Sequence, residues 1–165
     1  MKREDFIKSC ALSVPMMVLP MAPFAKVQEE PIITLDEITE FVFAAHNDFD
    51  KTKAMVQKNP VILNAANQFT KGDFETALGG ASHMGRDDIA KMLVARGARM
   101  DIFNLTFLGF TDVVKNLIEA NPQYLMAPGP HGFNLLHHAN VGKHTEFAEW
   151  LRDQGLEETR FKDVF

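Results

Sequence analysis

Apolar residues recur at spacings of i, i+3 and i+4 in four separate stretches of the chain: Thr52, Met55 and Val56; Ala90, Leu93 and Val94; Val114, Leu117 and Ile118; Phe147, Trp150 and Leu151. That period places each trio on one face of an α-helix, which must bury it against a neighbour. Five residues before the first member of each trio stands Asn47, Gly85, Gly109 or Gly142. These are residue types that accept a positive φ where one helix ends and the chain turns into the next. A first helix is therefore predicted before each turn, over Asp36 to His46, Thr76 to Met84, Asp101 to Leu108 and Asn134 to Val141. The second helices are predicted to stop at Asn59-Pro60, Gly97, Asn121-Pro122 and Gly155.

The stretches are copies of one another. Shifting residues 50–65 by 62 lays Asp50, Lys53, Asn59, Pro60, Leu63 and Ala65 over Asp112, Lys115, Asn121, Pro122, Leu125 and Ala127. The run Gly85 to Val94 matches Gly109 to Ile118 at an offset of 24. Self-similarity at such periods marks a repeat architecture in which each unit buries its apolar face on the next. The residues Thr76-Ala77-Leu78, Ala81-Ser82, Gly85 to Val94 and Gly97-Ala98, with Asn134-Leu135-Leu136-His137 in the last unit, resemble the ankyrin repeat, a turn followed by two helices. The resemblance covers residues 36–157. It implies an all-α, ankyrin-like solenoid of about four helix pairs that binds protein partners through its loops and the concave face of its first helices.

Within that plan two loops stand out. The third unit follows the second so closely that Asp101 is expected to cap its helix directly. Between the first and second units extra residues make Asn67 to Phe74 the long projection, and Ala127 to Phe133 is a Pro- and Gly-fixed loop. Phe69, Lys71, Phe74, His131 and Phe133 are accordingly the expected partner-binding residues, since aromatic anchors carry most interface energy. The tail, residues 158–165, is expected to cover the last stripe or to join a contact. Both ends of the array look finished, and a monomer is expected.

The N-terminus reads as an address. Lys2, Arg3 and Lys8 precede an uncharged stretch, Ser9 to Ala25, which is too short and too broken by Pro15, Pro20 and Pro23 for a membrane span. Residues 1–25 are expected to be a cleaved signal peptide and residues 26–35 a linker, so the domain is exported, to the periplasm in the bacterial case. Arg3 to Lys8 resembles the twin-arginine export signal, with Glu4 in place of the second arginine; the general secretory route is the alternative. Cys10 is the one cysteine and lies in the leader, which leaves the exported domain without thiol chemistry.

Charge narrows the function. Seventeen basic against 22 acidic residues, with no basic run, leave no electrostatic footprint for nucleic acid. No serine elbow or phosphate-binding glycine loop is present, Gly79-Gly80 included. His131, His137, His138 and His144 crowd into fourteen residues, but no local carboxylate or cysteine completes a metal set. His137 is expected to bond the turn before it, His138 to face away, Glu75 to cap a helix and His83 to be solvated. The expectation is a non-catalytic protein-binding module without metal or cofactor. Its alternative is a small-ligand or metal pocket, with or without catalysis, near Glu75, His83 and His131.

Overall fold

The computed structural model describes residues 33–162 and 164–165; the expected signal peptide and most of the expected linker lie outside the described residues. The chain is mostly helical, with one small two-stranded sheet. Eight α-helices follow in order among the described residues: α1 Leu35–Asn47, α2 Phe49–Lys58, α3 Ala77–His83, α4 Asp87–Val94, α5 Ile102–Phe107, α6 Thr111–Ala120, α7 Leu135–Val141 and α8 Thr145–Asp153. The strands, β1 Ala66–Thr70 and β2 Asp73–Thr76, lie between α2 and α3.

Helix starts are fixed by polar caps. Thr34 and Glu37 form a reciprocal capping box on α1, and Asp101 forms one with Asn104 on α5, capping that helix directly as its position predicts. Asn59 and Asn121, each followed by proline, end α2 and α6 and open short 3-10 turns, Pro60–Asn64 and Pro122–Met126. Gly85 and Gly109 take the left-handed backbone at φ 71° and 83°. In the last unit the prediction fails by one residue: Gly142 has φ −75° and Lys143 takes the left-handed position at φ 62°. Gly142 instead serves close approach: a Cβ there would lie 2.5 Å from the Phe107 carbonyl oxygen, which excludes any side chain. Lys143 then bears a backbone cost of about 1 kcal/mol. Asn47 does not turn the chain either; Asp48 caps α2 directly from extended backbone.

The apolar stripes bury two clusters. Phe41, Val56, Ile62, Leu78, Ile89, Leu93 and Phe107 form one, and Phe103, Val114, Ile118, Leu135, Leu136, Phe147 and Leu151 the other. First helices pack on one another, α1 on α3, α3 on α5 and α5 on α7, and each also packs on its own second helix.

The expected long loop is a β-hairpin, which corrects the all-α reading. β1 and β2 pair antiparallel, Ala66 opposite Thr76, Asn67 opposite Glu75 and Gln68 opposite Phe74, with an irregularity between Gln68 and Thr70. Side chains alternate along β2, but in the opposite sense to an ordinary half-buried strand. Asp73 and Glu75 are 3% and 1% exposed while Phe74 is 57% exposed. Burying two carboxylates and exposing a phenylalanine costs free energy unless the acids have partners inside, and those partners define the site.

Candidate metal centre

Four side chains converge behind the hairpin. His46 comes from the last turn of α1, Glu75 from β2, His83 from the last residue of α3, and His131 from the turn Pro130–Gly132. One ligand atom from each falls within 4.8 Å of every other. His83 Nε2 lies 2.9 Å from Glu75 Oε1, and His46 Nε2 and His131 Nε2 lie 3.3 Å and 3.5 Å from Glu75 Oε2. The Nε2 atoms of His46 and His83 are 3.2 Å apart. Two ligands held at 2.0–2.1 Å by a tetrahedral ion stand about 3.3 Å from each other, so contacts of 2.9–3.5 Å are compatible with a shared ion as well as with direct imidazole–carboxylate pairing.

The rings are oriented from behind. Nδ1–H of His46 donates to the Val42 carbonyl at 2.8 Å. Nδ1–H of His131 donates to Asp73 Oδ2 at 2.8 Å, and the His131 backbone N–H donates to the other Asp73 oxygen at 2.9 Å. A proton on Nδ1 leaves Nε2 as the free lone pair, the arrangement by which carboxylates and carbonyls prepare metal-binding histidines. His83 is located by aromatic packing: Phe133 stacks on it at 5.3 Å, and the His46 and His131 rings meet it edge-on at 4.9 Å and 5.4 Å.

Glycines make room for the cluster. A Cβ on Gly80 would lie 2.7 Å from His46 Cε1 and 2.8 Å from its Nδ1, and one on Gly79 would press Glu75 Cγ at 3.2 Å. The pair that forms no phosphate loop thus serves as the bare floor under two converging side chains.

Glu75 decides what the site can do. Its side chain is fully buried, and despite the three nearby nitrogens neither oxygen has an aligned hydrogen bond. Burial alone would raise its pKa, but His46 and His83 outweigh burial and bring it to about 2. Burial likewise pulls His46 down, and Glu75 more than reverses it, leaving His46 raised. The pocket therefore holds a carboxylate kept ionised by the imidazoles that face it, and is reachable by solvent beside His46 and His131, whose side chains are 16% and 23% exposed.

Glu75, His83 and His131, expected as an alternative pocket, are brought together. His46 was not anticipated, although a histidine in the last turn of two successive first helices was a visible signal. Several expectations are corrected. Glu75 caps nothing, since Thr76 caps α3 by accepting from Gly79 N–H at 3.1 Å. His83 is buried rather than solvated. The carboxylates absent near His131 in sequence are supplied by β2. Phe69 and Phe133 are half-buried: Phe69 meets His131 edge-on at 4.7 Å and Phe133 stacks on His137 at 4.0 Å. Only Lys71 and Phe74 of the expected partner-binding set stand exposed on the hairpin.

Of the four clustered histidines only His131 enters the centre. His137 bonds the His83 carbonyl at 2.8 Å instead of the preceding turn, and His144 donates to the Phe107 carbonyl at 2.8 Å. His138 is fully buried, its Nδ1–H on the Asn134 carbonyl and its Nε2 unpartnered. Burial pushes its pKa down to about 3. An unfolded chain binds this proton near pH 6.5 and the folded one does not. The contribution of His138 to stability is therefore complete above pH 6.5 and falls by about 1.4 kcal/mol per unit towards pH 3. His138→Leu is expected to flatten the difference between urea midpoints at pH 7 and pH 4; an unchanged difference would place the acid sensitivity elsewhere. Compared with known protein families and with curated proteins, the chain matches none.

Proposed function

We propose that this chain is a divalent transition-metal-binding protein, with the ion held by His46, Glu75, His83 and His131 on an ankyrin-like stack of helix pairs. The observation that carries the reading is a fully buried carboxylate whose two oxygens have three imidazole Nε2 atoms 2.9–3.5 Å away. Three nitrogen donors and one oxygen donor favour zinc and its first-row neighbours over magnesium or calcium. Support for the repeat reading comes from the recurrent helix pairs and the left-handed residues at 85, 109 and 143. With the leader at residues 1–25 removed, the domain has no cysteine, and a nitrogen and oxygen donor set suits an oxidising compartment. The protein-docking reading stands second, on Phe74 at the exposed edge of the hairpin.

Calorimetric titration of the metal-stripped full chain with zinc is expected to show one equivalent bound and protons released. Because His46 must lose its proton to ligate, affinity rises with pH across its titration. A flat trace with zinc, and likewise with cobalt and copper, would remove the reading.

A further inference from the structure

Three of the four proposed ligands stand on regular elements, His46 on α1, Glu75 on β2 and His83 on α3. His131 does not. It lies in a three-residue turn with a left-handed backbone at φ 57°, followed by Gly132 at φ 78°. Two successive left-handed residues, one of them not glycine, persist only where surrounding structure over-determines them.

The C-terminal tail supplies that structure. Arg160 Nε–H donates to the His131 carbonyl at 2.6 Å, and the Phe161 N–H donates to the Gly132 carbonyl at 2.8 Å. Phe133 and Arg160 form an antiparallel bridge. Asn134 closes the junction, its backbone N–H on the Thr159 carbonyl at 3.1 Å and its side-chain amide on the Glu158 carbonyl at 2.7 Å. The Arg160 guanidinium lies over the Phe133 ring at 5.4 Å, and that ring in turn stacks on His83. A Cβ on Gly132 would lie 2.5 Å from the Phe161 carbonyl oxygen, so the two segments touch backbone to backbone.

We propose that the tail delivers His131 to the metal centre, with Arg160 as the positioning residue, so that metal occupancy and tail docking are one linked equilibrium. The inference rests on the metal reading above. Asp73 fixes the ring of His131 from the hairpin side, and the tail fixes its backbone from the other; without the tail the turn is free to leave its strained conformation and take the ligand with it. Linkage is reciprocal: whatever the docked tail adds to metal affinity, bound metal adds to tail docking.

Zinc titration of the full chain and its variants reads one side of the linkage. Arg160→Ala is expected to weaken zinc binding about tenfold, the effect of losing an outer partner of a ligand. In a His131→Ala background the same change is expected to cost nothing further. Digestion of the wild-type chain with a serine carboxypeptidase reads the other side and needs no truncated variant to fold. Zinc is expected to slow removal of residues beyond 160 in the wild type and to have no effect in His131→Ala. Absence of zinc uptake by the wild type would overturn the metal reading and this inference with it. Zinc bound equally well by Arg160→Ala, with digestion indifferent to zinc, would overturn the tail linkage alone.

Discussion

Glu75→Gln is expected to lower zinc affinity more than a hundredfold while leaving a folded protein. Glutamine keeps the shape of the side chain and removes its charge, and loss of a direct ligand exceeds the ten- to hundredfold effect of an outer partner. The fate of the metal-free fold depends on what the histidines do once the carboxylate is gone. Breaking a buried ion pair costs about 3–5 kcal/mol when the surviving charge cannot leave. Imidazoles can shed theirs, at about 1.4 kcal/mol per pH unit from their ordinary pKa, so near pH 8 the penalty largely vanishes. The expected result is a chain whose far-ultraviolet dichroism and melting at pH 8 match the wild type, and whose zinc isotherm is flat at micromolar metal. A normal isotherm would show that Glu75 is a structural anion for His46 and His83 and no ligand.

Gly80→Ala is expected to damage the same centre without touching any donor atom. In a helix interior this substitution ordinarily stabilises by about 1 kcal/mol. Here the new methyl would lie 2.7 Å from the His46 ring, which is pinned from behind by its 2.8 Å bond to Val42. To relieve the overlap the ring must move by more than the half-ångström that a metal site tolerates. Zinc affinity is expected to fall at least tenfold, and the metal-free chain is expected to lose stability, since the overlap with the pinned ring outweighs the helix gain. Gly79→Ala, whose methyl comes no closer than 3.2 Å to Glu75 Cγ, should be milder. Equal affinity in wild type and Gly80→Ala would show that the His46 ring has freedom to retreat, and would remove it from the ligand set.

The helices were legible because their signals are local. Period, proline and asparagine stops and cap residues act within a few positions, and the predicted first helices agree with α1, α3, α5 and α7 to within two residues at either end. The hairpin was not, because its strands are only five and four residues long and Asp73 and Glu75, two carboxylates, take the buried side of β2, where a sequence pattern expects apolar residues. What turns that strand over is the set of imidazoles waiting behind it, contributed by α1, α3 and the 130–132 turn, and such distant partners leave no mark in a local window. The pair Gly79-Gly80 was visible as an oddity inside a helix; its reason, a histidine ring from another helix, was not.

The position of the centre bears on how the molecule comes apart. Chains built of successive helix pairs tend to fray one unit at a time, since each unit is held only by its neighbours. Here His46 belongs to the first pair and His131 immediately precedes the last, 85 residues further on. An ion gripping both would act as a clasp across the interior of the chain, removing loop entropy from the partly opened forms as a long-range disulfide does. Metal would then change the manner of unfolding as well as its midpoint, holding the two distant segments together until the whole chain opens.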